Sequence, residues 1–313
     1  MVIQAEGVVK SYGQSVAVDH IDLNINQGDI HGVLGPEGSG KSTLIACLLS
    51  LIEYDSGEVK IFDQYMGLNQ PDLKRRIGLV TKQEVFFQEL RVVDNLSYFA
   101  ALYEDRKKER QRIVSEVLEF TGLVEFSRFY PKDLSSGIRR VLNFACGIVH
   151  KPELLILDEP LFHADAESRQ QILQCIIALN KHGTTILLCS GSMEEMEQIC
   201  SRITMLDKGK VLAEGSRQEL KGMINVREKI NLGLVSPTPK VINQIQNLPF
   251  VHSVSLHKDG LEIRSKKGSQ NLIELLEYLR EEKIEFRNIS SDEPTLNDVY
   301  FEMTGKDLRE KER

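Results

Sequence analysis

Gly35-Pro36-Glu37-Gly38-Ser39-Gly40-Lys41-Ser42 is the stretch on which the reading of this chain turns. The octet fits G-x-x-x-x-G-K-[ST] at every fixed position. It follows the apolar run Ile30-His31-Gly32-Val33-Leu34 and precedes a segment in which Leu44, Cys47, Leu48 and Leu51 share one helical face. Strand, glycine-rich loop and helix is the context the pattern requires. The glycines let successive backbone N–H groups turn inward, the helix starting near Lys41 presents its positive dipole end, and the Lys41 ammonium adds a full charge. Residues 35–43, Thr43 included, therefore read as a cradle for phosphates, with the Ser42 hydroxyl placed to hold Mg2+. A chance glycine-rich turn would not come with both flanks, and a dinucleotide-binding turn would not run on into Lys41-Ser42.

Further along, Glu153-Leu154-Leu155-Ile156-Leu157-Asp158 is a short apolar run suited to a buried parallel strand. It delivers Asp158 and Glu159 to the strand end, where ligands bind in open parallel sheets. Alone, two acids there would read as a solvated strand end; beside a phosphate loop, Asp158 is placed for the Mg2+ shell and Glu159 as a base or water-orienting group. Thr184-Thr185-Ile186-Leu187-Leu188-Cys189-Ser190 repeats the strand character after a helical segment at 167–180. Residues 1–34 are β-rich, and 92–150 are mostly helical with breaks at Thr121-Gly122 and Tyr130-Pro131. After about Gly222 the pattern becomes strand (226–235), helix (239–247), strand (251–257), a Lys258-Asp259-Gly260 turn, strand (261–266), helix (270–282) and strand (284–290). A last helix at 295–304 opens on Thr295 and Asp298 in capping-box spacing and stops at Gly305. The expected fold is α/β: a P-loop (RecA-like) parallel-sheet core with a β-rich N-terminal subdomain and a helical insert at about 84–150, then a ferredoxin-like α+β domain. The division falls at 1–222 and 223–313.

Composition sets the outer bounds. The 313 residues carry 39 Lys+Arg against 46 Asp+Glu, a net charge of −7, with 41% hydrophobic residues. That is a globular chain of two domains without the basic footprint of a nucleic-acid binder. The five cysteines lie far apart with no C-x-x-C pair, and the histidines lack metal spacing, so both read as packing or surface residues. The start lacks a basic region followed by an apolar one, and the longest apolar run, Leu44 to Ile52, is too short to cross a bilayer. A cytoplasmic location is expected, with any membrane role exerted through a partner.

Leu134-Ser135-Ser136-Gly137-Ile138 precedes a helix some twenty residues before LLILDEP, and in that position it resembles the LSGGQ signature of the ATP-binding cassette (ABC) family. With the loop and the acids, residues 1–222 resemble the nucleotide-binding subunit of an ABC transporter. The tail, with EPTLNDVYFEMTG, is similar to the C-terminal extension of drug-resistance exporters typified by daunorubicin exporters. The resemblance implies ATP and Mg2+ as cofactors. It implies that Tyr12, in KSYG, stacks on adenine, although an exposed aromatic is also a common sheet-edge residue. It implies a second cassette paired head to tail, as homodimer or heterodimer, so that Ser135 and Gly137 touch the partner's nucleotide. It also implies an integral-membrane permease that holds the chain at the inner membrane face and meets residues 83–100, where Phe86, Phe87 and Leu90 serve either that contact or the core.

Several positions depart from the family pattern. The place of the Q-loop glutamine falls on Lys82, with Gln83 one position later and reachable through a one-residue bulge. An ammonium is donor-only and is repelled by a metal that a glutamine carbonyl would ligate. Gly191 stands where the switch histidine is expected, the D-loop reads Leu161-Phe162-His163-Ala164-Asp165, and the signature has Ser136 and Ile138 where Gly and Gln are usual. The expectation is an exporter subunit that binds MgATP, with its own-site hydrolysis slow. The alternative is a non-hydrolysing regulatory subunit paired with an intact cassette. A cassette protein of translation or DNA repair, usually with two cassettes or a long coiled-coil insert, fits less well.

Overall fold

The computed structural model describes residues 1–224, 228–235, 238–257, 260–266 and 271–306. The chain divides into two compact units, 1–214 and 215–313. The first begins with β1 (Ile3–Tyr12), β2 (Ser15–Ile25) and β3 (Ile30–Leu34), followed by α1 (Lys41–Leu48), β4 (Ser56–Ile61), β5 (Gln64–Tyr65), α2 (Pro71–Arg75) and β6 (Ile77–Val80). Three helices come next, α3 (Val92–Ala101), α4 (Lys107–Phe120) and α5 (Ser136–Ile148). The unit closes with β7 (Leu154–Asp158), α6 (Ala166–Lys181), β8 (Thr185–Ser190), α7 (Met193–Ile199), β9 (Arg202–Asp207) and β10 (Lys210–Gly215).

Two sheets result. The antiparallel sheet, in order β2-β1-β4-β5, has one buried face made by alternate residues such as Ile3 and Ala5 of β1 with Ile21, Leu23 and Ile25 of β2. The six-stranded sheet runs β10-β9-β3-β8-β7-β6, with β6, β7, β8, β3 and β9 parallel. Every residue of β3, β7 and β8 is buried, as strands covered on both faces must be. This is the expected parallel core, with α3 to α5 as the helical insert. Registers Leu34↔Ser190 and Asp158↔Cys189 bring the ends of β3, β8 and β7 to one edge of the sheet.

Two boundaries move. The helix after the loop stops at Leu48 because Ser50 takes a left-handed φ of 47° and the Leu51 amide turns back to Ala46 O at 2.8 Å. Leu51 is consequently 56% exposed and not on the buried face. The junction between units lies after Glu214, eight residues before the change in sequence pattern, so α8 (Arg217–Gly222) belongs to the second unit.

That second unit continues with β11 (Glu228–Leu234), α9 (Pro239–Gln246), β12 (Val251–His257), β13 (Gly260–Ser265), α10 (Asn271–Glu281), β14 (Phe286–Asp292) and α11 (Leu296–Thr304). Its sheet is antiparallel in order β12-β13-β11-β14, which is the ferredoxin-like arrangement. Residues 258 and 259 of the expected hairpin turn, 226 and 227 of the expected first strand, and 270 at the expected helix start lie outside the described residues. Ile230, Leu232, Ile263, Leu275 and Leu279 form its core. The capping box expected at α11 is present, with the Asp298 carboxylate accepting from the Thr295 amide at 2.7 Å, and Gly305 ends the helix at φ 70°.

Candidate functional site

The octet connects β3 to α1 as a closed turn. Gly38 and Gly40 adopt φ of 79° and 106°, left-handed values that other residues resist. A side chain at Gly40 would also run into Ala17 O, and one at Gly35 into Leu206 O. The Gly209 amide donates to Ser39 O at 2.9 Å while its carbonyl accepts from Asp19 at 2.8 Å, so the turn before β10 and strand β2 brace the loop from outside.

Lys41 lies inside the loop, 6% exposed, its Nζ donating to Gly35 O at 2.6 Å and Pro36 O at 3.1 Å and standing 3.4 Å from Glu159 Oε1. Ser42 is exposed and Thr43 half-buried at the start of α1. Ser39 Oγ and Asp158 Oδ1 are buried without a hydrogen-bond partner. An orphaned carboxylate oxygen at the sheet edge calls for a cation, and an orphaned hydroxyl in the loop calls for a hydrogen-bond partner. This donor set, with one ammonium enclosed and two acids at the strand end, fits a polyphosphate and its divalent ion. The structure thus brings residues 35–43, Asp158 and Glu159 together.

Glu159 takes a left-handed φ of 50°, its amide bonded to Cys189 O at 2.9 Å. Its Oε1 accepts from the Gly191 amide at 3.1 Å and its Oε2 lies 3.4 Å from Ser190 Oγ. The Ser190 hydroxyl has one proton, and the shorter contact, 2.7 Å to Glu195 Oε2, takes it. Glu195 is buried, which pushes its pKa up, while Ser190 and Arg169, at 2.9 Å from Oε1, favour the ionised form. Neither Glu195 nor Arg169 stood out in the sequence.

At the Q-loop position it is Lys82 that faces the phosphate loop, with Nζ 3.4 Å from Glu37 Oε1 and 3.9 Å from the centre of the Phe162 ring. Gln83 is exposed, and its carbonyl accepts from Thr81 Oγ1 at 2.9 Å and Asn143 Nδ2 at 3.3 Å. The segment is tied to α5 by Asn143, which bonds Thr81 O at 3.0 Å and the Val85 amide at 2.9 Å. Arg140, also in α5 and 3% exposed, reaches Glu159 O at 3.0 Å and Thr81 O at 3.4 Å. Burial lowers its pKa, opposed by the carboxylates of Glu84, Glu159 and Asp158. Two polar residues on the buried side of an amphipathic helix were the available sign of these ties. Phe86 is buried and Phe87 exposed against Tyr98, their rings 4.8 Å apart, so the two aromatics divide between core and surface.

The signature residues form the start of α5. Ser135 caps the helix by accepting from the Ile138 amide at 3.2 Å and is itself exposed. Gly137 is buried against Asp165 and Ser168 at the start of α6. Tyr12 ends β1 with 54% of its surface exposed and the Lys10 ammonium 5.5 Å from its ring. All five cysteines are buried thiols outside any disulfide, with Cys47 and Cys175 pushed up to about 11 by burial. Among the described residues no helix is long and apolar enough to cross a membrane, and no cluster of His, Cys, Asp and Glu could hold a metal by itself.

The sequence profile of the ABC transporter family matches residues 18–162. That of the C-terminal domain of DrrA1-3-like ATP-binding proteins matches 215–304. The linearmycin resistance ATP-binding protein LnrL of Bacillus subtilis (strain 168) is 31% identical over 310 residues, covering 98% of this chain and all of LnrL. The daunorubicin resistance ATP-binding protein DrrA3 of Streptomyces coeruleorubidus is 31% identical over 99% of this chain and 98% of its own. The bacitracin transport ATP-binding protein BcrA of Bacillus licheniformis is 31% identical over 97% of each. Among solved structures, the dimeric post-hydrolysis state of an ATP-binding cassette bound to ADP and Pi superposes with a TM-score of 0.63 at 25% identity, over 68% of this chain and 98% of that one. With the loop, strand-end acids and signature helix in place and these matches end to end, the chain belongs to the ABC transporter family and carries the C-terminal domain of its DrrA-like ATP-binding proteins.

Proposed function

We propose that this chain is the ATP-binding subunit of an exporter, held at the cytoplasmic membrane face by an integral-membrane permease, and that its own site hydrolyses ATP slowly. The observation that carries the reading is the Lys41 ammonium enclosed by the loop, on the carbonyls of Gly35 and Pro36 and 3.4 Å from Glu159, with a buried Asp158 oxygen that lacks a partner at the same strand end. The loop amides of 35–43 and Lys41 would bind the β- and γ-phosphates, Tyr12 would stack on the adenine, and Ser42 and Asp158 would hold Mg2+. When bound, the metal neutralises phosphate charge. Glu159 is the candidate base, and Ser135 and Gly137 would serve the nucleotide of a second cassette.

Slow turnover follows from what surrounds Glu159. Its carboxylate accepts from the Gly191 amide and lies beside Lys41, and position 191 offers no side chain to donate to a γ-phosphate. Losing a positioned acid or base costs about 10²–10⁴ in rate. The same observation favours a second reading, a regulatory subunit whose signature completes the site of a different, intact cassette. The test is calorimetry and turnover on one purified sample. The chain should bind a nonhydrolysable ATP analogue with Mg2+, lose that binding in Lys41→Ala, and turn over slowly. Brisk ATPase abolished by Glu159→Gln would refute the slow-site reading. Activity that appears only on mixing with a second cassette would select the regulatory one.

A further inference from the structure

Lys82 is the feature the nucleotide reading leaves unused. A hollow of about 400 Å³ is lined by Lys82, Glu84, Ser136, Arg139, Arg140, Phe162 and His163. Its cations are held differently. Arg139 pairs with Glu84 at 3.2 Å, and Arg140 is buried on the carbonyls of Thr81 and Glu159. Lys82 is held by Glu37, a carboxylate with 87% of its side chain exposed, and by the face of Phe162. An exposed ion pair contributes about 0–1 kcal/mol, so the ammonium leaves Glu37 at little cost when a stronger anion arrives.

The position of that ammonium is informative. Lys41, whose charge serves the β- and γ-phosphates in this motif, rests on the carbonyls of Gly35 and Pro36. Glu37 is the next residue, and Phe162 follows Glu159 by three, so Lys82 bridges the loop and the segment of the candidate base at the end where the terminal phosphate belongs. The ionisable groups around this end include Lys41, Lys82 and the buried Arg140 against Glu37, Asp158 and Glu159, a formal balance that is neutral before any nucleotide enters and negative once a triphosphate does. An ammonium has nothing to give a metal but has three protons for phosphate oxygens.

We propose that Lys82 is a terminal-phosphate-binding residue: its ammonium exchanges Glu37 for an oxygen of the γ-phosphate and supplies part of the positive charge that a divalent ion supplies elsewhere. The proposal rests on the reading of residues 35–43 as a triphosphate loop. It gives the chain two properties. Affinity for ATP persists when the metal is removed, and the residue distinguishes ATP from ADP, which lacks the phosphate that Lys82 contacts.

Calorimetry on the full chain tests this with ATP and ADP, each in Mg2+ and in excess EDTA. The parent chain should lose less than about tenfold in ATP affinity in EDTA. Lys82→Gln should bind ATP in EDTA about ten- to a hundredfold more weakly than the parent, the scale of one charge-assisted hydrogen bond, with ADP changed less than about threefold. Lys82→Arg, which keeps the charge, should restore the metal-free binding. Equal weakening of ATP and ADP in Lys82→Gln, or no change in its ATP affinity in EDTA, overturns the proposal while leaving the loop assignment standing. No heat from the parent with MgATP removes the loop assignment and the proposal together.

Discussion

Replacing Gly137 by alanine sets two physical expectations against each other. In an exposed helix the change would stabilise by up to about 1 kcal/mol, because alanine is the better helix former. Here the added Cβ would sit 2.7 Å from Asp165 Cγ, with Asp165 Oδ2 and Ser168 Oγ nearer still. To make room Asp165 must release the Ser168 amide, which its Oδ1 accepts at 2.8 Å as the N-cap of α6. Losing a cap costs about 1 kcal/mol and overpacking about 1–3 kcal/mol. Set against the helix gain, Gly137→Ala should destabilise the first unit by about 1–3 kcal/mol. At about 2–4 °C per kcal/mol for a unit of this size, its Tm should fall by about 2–12 °C in scanning calorimetry. Adding Asp165→Ser, which shortens the obstructing side chain and keeps a capping oxygen, should recover part of the loss. A Gly137→Ala chain that melts at or above the parent would refute the close packing of signature and D-loop.

Three other outcomes are expected. A Cβ at position 191 would lie 3.5 Å from Gly35 O and 3.9 Å from Glu159 Oε1, so the backbone there accepts a side chain; Gly191→His should raise MgATP turnover by about tenfold or more, and unchanged turnover with nucleotide binding intact would mean that position 191 does not limit the rate. Asp158→Asn removes the charge placed for the metal, so the gain in ATP affinity on adding Mg2+, less than about tenfold in the parent and read by calorimetry, should largely disappear; a full gain would place the metal elsewhere. In the second unit, burial alone would raise the pKa of Asp298, but the Thr295 amide and hydroxyl and the Lys229 ammonium at 3.0 Å hold it below the usual aspartate value. A depressed carboxylate stabilises fully above its unfolded value and loses the contribution as pH falls through the folded one, so melting of this unit should weaken below about pH 4, with Asp298→Asn removing that part of the acid slope.

Local features were legible and tertiary ones were not. The octet announces itself because a phosphate turn needs fixed glycine spacing within eight residues, and Asp158-Glu159 because the apolar run before them can only be a covered strand. The ferredoxin-like order of the second unit follows from alternating strand and helix patterns with turns between them. Whether Lys82 or Gln83 faces the loop was beyond any local pattern, since the deciding contact, to Glu37, spans 45 residues. Arg140 reads as an ordinary helix arginine until its guanidinium is found on carbonyls 59 and 19 residues away. Glu195 shows the same thing from the other side, as an acid in a polar stretch that the fold buries beneath Ser190. The early stop of α1 at Leu48 turns on a left-handed Ser50, for which the residue type gives no warning.

The bracing of residues 35–43 by Ala17, Leu206 and Gly209 bears on how the subunit is made. During translation the octet leaves the ribosome early, with every amide and its lysine already present, yet the backbone that closes around Gly35 and Ser39 is synthesised some 170 residues later. Until β9 inserts beside β3 and the Lys208-Gly209 turn swings over, a nascent cassette has the right letters but no rigid socket. ATP capture by a growing chain thus reports that the whole first unit has been completed.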